Sequence, residues 1–118
     1  MLIQKLKSKI HLATVTECHL NYNGSLGLDE DFMQLADLQE FEKVLVANVS
    51  NGKRFETYII KEKKGSKKVT LNGAAARLGQ EGDKIIILSF CLLDEKESAF
   101  FKPSIVIMEE TNIPKKKS

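Results

Sequence analysis

The run Tyr22-Asn23-Gly24-Ser25 contains two residues that could do backbone chemistry. Glycine beside serine in a polar stretch is typical of a turn. It also permits self-cleavage, because a serine hydroxyl can attack the carbonyl carbon of the preceding residue when the peptide is held under strain. Glycine at that place has no Cβ to obstruct the approach, and an ester would replace the amide. Taken alone, the residues leave both interpretations open.

Further polar residues are spaced for the faces of strands. Side chains alternate along a strand, so Arg54 and Tyr58 should share one face while Thr57 lies on the other. Lys9 and His11 are also two residues apart and should share a face. Each of these residues also has an ordinary structural interpretation, as a solvated charge, a surface histidine or a half-buried strand aromatic.

Short strand patterns dominate the chain and must position these residues. Six are predicted, over residues 11–17, 43–50, 53–62, 67–72, 84–90 and 104–109. Asn51-Gly52 lies between two of them and predicts a hairpin with a type I′ turn. Short helices are expected from Glu30 to Leu38, capped by Asp29, and from Asp94 to Phe101, and a single helical turn is expected around residues 73–76. We therefore predict a mainly β fold, a small barrel of six to seven strands with short helices, with an open sandwich as the alternative.

Length and composition limit the function classes. The 118 residues, 42% of them hydrophobic, predict a single domain over 1–118, and residues 110–118 are expected to be a flexible basic tail. Only 7% of residues are aromatic and Trp is absent, which disfavours nucleic acid as a partner. The two cysteines and two histidines lack zinc-ligand spacing, so no metal is expected. The first residues contain no signal-like or membrane-spanning apolar run, so a cytoplasmic protein without a membrane partner is predicted.

Several motifs in a fixed order resemble bacterial aspartate 1-decarboxylases, the pyruvoyl-dependent enzymes that make β-alanine. They are Tyr22 to Ser25, the run Asn-Gly-Lys-Arg-Phe-Glu-Thr-Tyr at 51–58, Asn-Gly-Ala-Ala-Ala-Arg at 72–77, and Gly82-Asp83, with Lys9 and His11 upstream. The resemblance extends from about Leu6 to Val106. It implies a double-psi β-barrel and a homotetramer with active sites between neighbouring subunits.

The resemblance also implies a cofactor made from the chain itself. Cleavage between Gly24 and Ser25 would give a β chain, 1–24, and an α chain, 25–118. Ester formation, β-elimination to dehydroalanine and hydrolysis would leave a pyruvoyl group at position 25, with Thr57 assisting. The implied reaction is α-decarboxylation of L-aspartate to β-alanine and CO2 through a Schiff base, feeding pantothenate and coenzyme A biosynthesis. Neither pyridoxal phosphate nor a metal is expected, because the pyruvoyl carbonyl itself supplies the electron sink.

Roles for the remaining matching residues follow from the resemblance and from their chemistry. Arg54 and Lys9 would hold the carboxylate that is retained, since a guanidinium suits a carboxylate. Tyr58 would donate the proton to the intermediate. The oxyanion or second carboxylate would be bound by Asn72 and the backbone N–H groups of Gly73, Ala74 and Ala75. The other lining residues would be His11, Tyr22 and Ile86, the last as an apolar wall.

Two positions depart from the family pattern. Leu12 stands where a basic residue is common, and Ala47 stands where a large aromatic often occurs. Some relatives mature only with a helper protein, so a maturation factor is a possible partner. The alternative to an enzyme is a non-enzymatic small β-barrel binding protein, whose lysine-rich segment at 61–68 would meet an acidic partner.

Overall fold

A computed structural model of the chain describes residues 1–115, and they form a mainly β structure. Two α-helices are present among them, α1 (Glu30–Leu35) and α2 (Glu95–Phe100), with one 3-10 helix, Gly73–Arg77. The strands in chain order are β1 (Ile3–Thr14), β2 (Glu17–His19), β3 (Ser25–Asp29), β4 (Lys43–Asn48), β5 (Arg54–Glu62), β6 (Val69–Asn72), β7 (Lys84–Leu93), β8 (Ser104–Glu109) and β9 (Ile113–Lys115).

The strand order shows that the sheet curves back on itself. The order is β2-β6-β3-β5-β4-β7-β1-β8-β9, so β2 and β1 lie six positions apart. In a flat sheet that separation would be about 29 Å, at about 4.8 Å per strand. Only two residues, Val15 and Thr16, join the two strands, and they span no more than about 11 Å. The sheet must therefore wrap around its core.

The core lies inside this curved sheet and draws on most of its strands. Its fully buried members include Ile10 of β1, Leu26 of β3, Val46 of β4, Ile59 of β5 and Ile87 of β7. Helix α1 closes part of the core with Phe32 and Met33. At about 25 cal/mol per Å2 of apolar surface, burying each such side chain stabilises the fold by about 1.5–3 kcal/mol.

The described part of the chain has more strands than the predicted six or seven, for two physical reasons. All five residues of β3 are buried, but its sequence Ser-Leu-Gly-Leu-Asp is short, has glycine at its centre and contains no β-branched residue, so its strand signal is weak. The strands β2 and β9 are only three residues long, too short for a periodic pattern. Strand β1 also begins at Ile3, eight residues before the predicted start.

The segment before the C-terminus differs from the flexible tail predicted over 110–118. Asn112 is fully buried, and its side-chain amide accepts from Thr14 N (2.7 Å) and donates to Thr14 O (2.9 Å) and Lys67 O (3.1 Å). Strand β9 pairs antiparallel with β8. The tail prediction is therefore wrong for residues 112–115, because a single buried amide fixes the chain there. The rest of the predicted tail, 116–118, lies outside the described residues.

The hairpin predicted at Asn51-Gly52 is confirmed, but the predicted type I′ turn is wrong. Strands β4 and β5 pair antiparallel, with Ala47 opposite Arg54. A type I′ turn needs positive φ at both central residues, whereas only Gly52 has it, at +80°. The loop runs over residues 49–53 and is longer than a two-residue turn. Asn48 stabilises it, because its side-chain oxygen accepts from Ser50 N (2.8 Å) and Asn51 N (3.2 Å).

The two predicted helices are present and begin at their predicted caps. Asp29 accepts from Asp31 N (2.7 Å), and Asp94 forms a reciprocal capping box with Glu97. Helix α1 ends at Leu35 instead of Leu38, and Asp37 beyond it has positive φ (+57°). The turn predicted around 73–76 is the 3-10 helix.

Candidate active site

A pocket of about 550 Å3 opens beside Ser25. Ser25 begins β3 and pairs with Asn72 at the end of β6, so the strand register itself places these two residues together. Tyr58 on β5 and Tyr22, in the loop before β3, also line the pocket. The complete lining is Asn21, Tyr22, Asn23, Ser25, Phe41, Tyr58, Ile60 and Asn72.

Ser25 is buried and hydrogen-bonded on both sides. Its side chain is 1% exposed. Its hydroxyl Oγ donates to the Asn23 carbonyl (3.3 Å) and accepts from Asn72 Nδ2 (3.1 Å). The side chain that could attack the backbone is thus held next to the peptide bond that precedes it.

Asn72 carries an unused acceptor in this pocket. It is 1% exposed, and its Oδ1 atom is buried without a hydrogen-bond partner. An unpaired buried polar atom costs about 1–3 kcal/mol, so a group that brings an N–H or O–H to this atom gains that amount. The pocket therefore fits an occupant with a hydrogen-bond donor beside position 25.

Gly73 has the closest approach to the backbone that precedes Ser25. Its φ is +65°, and a Cβ placed on it would lie 2.6 Å from both the Cα and the N of Gly24 and 2.7 Å from Tyr22 O. A Cβ on Gly24 would meet only ordinary contacts, at 3.8 Å and 3.9 Å. Packing therefore requires glycine at position 73 but not at position 24.

The β3–β5 register locates Thr57 and Tyr58. These strands are parallel, with Leu26 opposite Ile59. Counted back along both strands, the same register places Tyr58 beside Ser25 and Thr57 beside Gly24. Alternation on β5 also matches the prediction, since Arg54 and Tyr58 are exposed and Thr57 is half-buried on the face of buried Ile59.

Tyr22 is held at the pocket by an aromatic stack. Its ring lies 4.5 Å from that of His19, with 14° between the planes. His19 Nε2 contacts Glu17 Oε1 at 2.8 Å. This bond, with Lys68 nearby, lowers the pKa of the Glu17 carboxyl despite a smaller opposing effect of burial. Glu17 and His19 thus orient a pocket residue from outside the pocket.

A second cluster forms on the outer face of the sheet. Arg54 of β5 lies opposite Ala47 of β4, which lies opposite Ile86 of β7. Strand β1 continues the row, because its irregularity between Ile10 and Ala13 brings His11 next to Ile86. Lys9 lies two residues away on the same face. The row Arg54, Ala47, Ile86 and His11, with Lys9, is called the cationic row below.

The cationic row has a buried ring nitrogen without a hydrogen-bond partner. His11 Nδ1 is buried and has no hydrogen-bond partner. The irregularity next to it includes Leu12, whose φ is +64°, an uncommon value for a residue with a side chain. The two departures from the family pattern, Leu12 and Ala47, therefore both lie in or beside this row.

The structure divides the predicted site residues into two groups. Tyr22, Ser25, Tyr58 and Asn72 meet at the pocket, and Gly24 and Gly73 contact each other beside it. Arg54 lies four residues from Tyr58 along β5, which corresponds to about 13 Å. In the 3-10 helix, Ala74 is exposed and Ala75 is buried. The backbone N of Ala74 lies near Gly24, since a Cβ built on Gly24 would be 3.9 Å from it. One chain therefore supplies the pocket and the cationic row as separate surfaces.

Four residues that line the pocket were not among the predicted site residues: Asn21, Asn23, Phe41 and Ile60. Phe41 is 71% exposed, and its ring centroid lies 6.3 Å from that of Tyr58. An apolar residue within the charged run Gln-Glu-Phe-Glu-Lys was the available signal for it. Ile60 could have been found by alternation, since it shares a face with Tyr58.

The lysine-rich segment at 61–68 is largely compensated within the chain. Lys61 lies 3.9 Å from Glu30, Lys64 lies 2.6 Å from Asp31, and Lys68 lies 3.6 Å from Glu17. These exposed pairs contribute little to stability. They do leave fewer free charges for an acidic partner, which disfavours the binding-protein alternative.

Within residues 1–115, neither α-helix has the length and apolar character needed to cross a membrane. In the same range, His, Cys, Asp and Glu side chains do not gather in groups of three or more that could hold a metal ion.

Comparison with known proteins gives a consistent result along the chain. The family model described as aspartate decarboxylase matches residues 1–115. The chain is 57% identical over 112 residues to an aspartate 1-decarboxylase of Caldicellulosiruptor bescii, covering 95% of this chain and 88% of that relative. It is 53% identical to that of Acetivibrio thermocellus, covering 95% and 89%, and 49% identical to that of Clostridium kluyveri, covering 95% and 88%. This chain therefore belongs to the aspartate decarboxylase family.

Proposed function

We propose that this protein decarboxylates L-aspartate to β-alanine and CO2, using a pyruvoyl group made from its own Ser25. The observation that carries the proposal is the position of Ser25, buried against Asn72 at the floor of a pocket and directly after the exposed Gly24. The family relationship supplies the substrate. The proposed product, β-alanine, would feed pantothenate and coenzyme A biosynthesis, and the cytoplasmic location stays a prediction.

The proposed maturation begins at the Gly24–Ser25 peptide bond. Ser25 Oγ attacks the Gly24 carbonyl carbon, the Gly24–Ser25 C–N bond breaks, and the hydroxyl proton goes to the released amine. The resulting ester loses the Gly24 carboxylate by elimination across Cα and Cβ of position 25. One water then replaces nitrogen, which leaves as ammonia. Thr57, beside Gly24 in the strand register, is suited to donate to the Gly24 carbonyl oxygen.

The pocket residues fit a pyruvoyl group at position 25. The Nδ2 group of Asn72 lies beside that position and can donate to a ketone oxygen there, while its unpaired Oδ1 can accept from the amine of a substrate. When present, the group supplies a ketone that accepts the electrons left by loss of CO2. Tyr58, on the strand next to Ser25, is placed to deliver a proton to the product carbon. Ile86 of the cationic row would provide an apolar surface against the leaving carboxylate.

The two separate surfaces support active sites between subunits. Aspartate has two carboxylates, yet the pocket lining contains neither Lys nor Arg among the described residues. Arg54 and Lys9 lie elsewhere on the same chain, so a neighbouring subunit's cationic row would complete the pocket. Exposed Tyr22, Phe41 and Leu20 around the pocket supply apolar surface for that contact. We therefore propose the homotetramer and, from the curved sheet, the double-psi β-barrel.

Denaturing mass spectrometry tests the maturation part of the proposal. Purified protein should separate into fragments of 24 and 94 residues, the larger one lacking a free N-terminal amine. Ser25→Ala should remain intact, since it has no hydroxyl to attack. An intact wild-type chain after long incubation, both at raised temperature and in cell extract, would exclude the pyruvoyl group. The extract supplies any maturation factor that the chain needs.

Mixed assemblies test the shared site. Ser25→Ala lacks the cofactor precursor and Arg54→Ala lacks the guanidinium, so each should be inactive alone. Dissociating and reassembling them together should restore activity, because some sites would combine an intact pocket with an intact cationic row. Lack of restored activity in verified mixed oligomers would place both groups in a site within one subunit.

A further inference from the structure

We propose that Glu62 and Thr70 are positioning residues that control how Ser25 matures, by fixing the orientation of the Asn72 amide. The inference rests on the proposed function and deepens it. Neither residue lines the pocket, and both act through Asn72. The chain Glu62, Thr70, Asn72 and Ser25 is called the relay below.

The relay is a continuous series of hydrogen bonds. Thr70 Oγ1 donates to Glu62 Oε2 at 3.1 Å. Asn72 Nδ2 donates to Thr70 Oγ1 at 3.3 Å and to Ser25 Oγ at 3.1 Å. Thr70, Asn72 and Ser25 are each 1% exposed, so water does not compete for these bonds.

The direction of every bond follows from the carboxylate at one end. An ionised carboxylate only accepts, so the single hydroxyl proton of Thr70 must point to Glu62. Thr70 Oγ1 can then only accept from Asn72, which requires the Nδ2 group at that position. The second Nδ2 hydrogen points to Ser25 Oγ. Glu62 thus determines, through the two intervening residues Thr70 and Asn72, that Ser25 Oγ faces a donor.

Gly27 gives an independent indication that this contact is built into the fold. A Cβ on Gly27 would lie 2.1 Å from Thr70 Oγ1 and 2.4 Å from Glu62 Oε2. Gly27 is not among the glycines with positive φ, so backbone conformation does not require glycine here. The residue leaves room for the Glu62–Thr70 bond, which any side chain at position 27 would displace.

The donor on Ser25 Oγ matters at the elimination step. A solvent base removes the Cα proton of position 25, its electron pair forms the Cα=Cβ bond, and Oγ leaves with the Gly24 carboxylate. Negative charge develops on Oγ, and an N–H aimed at it stabilises that charge. Water attack on the ester carbonyl competes, breaking the acyl–Oγ bond and restoring the serine. Both routes cut the chain, but only elimination gives pyruvoyl.

The two routes are distinguished by the mass of the 94-residue fragment. A pyruvoyl terminus and a serine terminus differ in composition by one ammonia. Glu62→Gln and Thr70→Val remove the constraint on the relay without changing side-chain size. We expect elimination to slow about tenfold, the effect of one hydrogen bond of ordinary net strength, so the serine-terminated share rises. Gly27→Ala should have the same effect, and Thr70→Ser should restore the wild-type ratio.

Glu56→Gln is the matched control. It changes an exposed carboxylate on the same strand, paired only with Lys43 at 3.3 Å within the described residues. Its fragment ratio should equal that of the wild type. The double variant Glu62→Gln with Thr70→Val should be no worse than either single variant, because both interrupt one relay.

The outcomes separate the relay from the proposed function. If Glu62→Gln and Thr70→Val fold, cut themselves and keep the wild-type ratio, the relay proposal is overturned while the pyruvoyl enzyme stands. If Thr70→Ser behaves like Thr70→Val, Thr70 acts through packing, and the relay is also overturned. If wild type and Glu56→Gln are never cut, the proposed function fails together with the relay.

Discussion

Gly73→Ala should destabilise the protein and slow the proposed self-cleavage. The new Cβ would lie 2.6 Å from the Cα and the N of Gly24 and 2.7 Å from Tyr22 O. All three are backbone atoms, so a side-chain rotation cannot relieve the contacts. The segment carrying the cleaved bond must move, which changes the geometry from which Ser25 attacks.

Two other glycines, Gly52 and Gly24, give reference values for the loss of unfolding free energy. Gly52 has φ of +80° and no atom within 4 Å of an added Cβ, so Gly52→Ala costs only the strained backbone, about 1 kcal/mol. Gly73 has the same kind of φ, +65°, and the overpacking adds about 1–3 kcal/mol. Gly73→Ala should therefore cost about 2–4 kcal/mol. Gly24→Ala, with contacts no closer than 3.8 Å, should cost less than about 0.5 kcal/mol.

Urea unfolding in a Ser25→Ala background measures the three costs without interference from cleavage. Mass spectrometry of the same glycine variants with Ser25 intact then gives cleavage rates. Equal stability of the Gly73→Ala and Gly52→Ala proteins would refute the argument from backbone contact. Slow cleavage of Gly24→Ala with unchanged stability would show that glycine at position 24 serves the reaction and not the packing.

Three further predictions concern catalysis and acid stability. Arg54→Ala should be cut normally but lose most of its kcat/KM for aspartate, and a value within twofold of wild type would remove Arg54 from the site. Tyr58→Phe should still bind aspartate covalently, as borohydride trapping would show, yet release product about 10²–10⁴-fold more slowly; wild-type turnover would assign the proton donor elsewhere. Glu42 has a pKa below its usual 4.5 because, although burial raises it, hydrogen bonds from Gln39 N, Ser89 and Lys7 outweigh that effect. The folded state therefore binds fewer protons than the unfolded state, so stability is full above pH 4.5 and falls as the pH drops through the lowered pKa. Glu42→Gln should flatten this acid loss in unfolding experiments, and an unchanged slope below pH 4.5 would contradict it.

The predicted strands were runs rich in β-branched and other apolar residues between turn residues. The hairpin formed by β4 and β5 flanks Asn51-Gly52, and both predicted helices begin at their aspartate caps. Strand β3 was not predicted, since it is short, has glycine at its centre and contains no β-branched residue. The segment ending in β9 was not predicted because Asn112, a polar residue typical of turns, is buried by three bonds to distant backbone. Such tertiary contacts leave no trace in local periodicity.

Four of the eight residues that line the pocket were predicted from the sequence, Tyr22, Ser25, Tyr58 and Asn72, but their arrangement was not. Alternation correctly separated Thr57 from Arg54 and Tyr58 on β5. It could not show that Arg54 and Ser25 belong to separate surfaces of one chain, because that depends on the strand order. The relay was also invisible, since Glu62 and Thr70 look like ordinary surface and strand residues until β5 and β6 are placed on either side of β3.

The hydrogen bonds of Ser25 have opposite consequences for successive steps of maturation. For attack, Oγ needs a free lone pair and a base for its proton. In the intact chain one of the two Oγ lone pairs accepts from Asn72, and the proton is donated to the Asn23 carbonyl, which is not a base. The same Asn72 donor favours the later elimination, because it then faces a developing negative charge. Maturation should therefore be limited by the first step, and movement of Asn23 would release the proton. A maturation factor that shifted this loop would accelerate attack while leaving the donor needed for elimination in place.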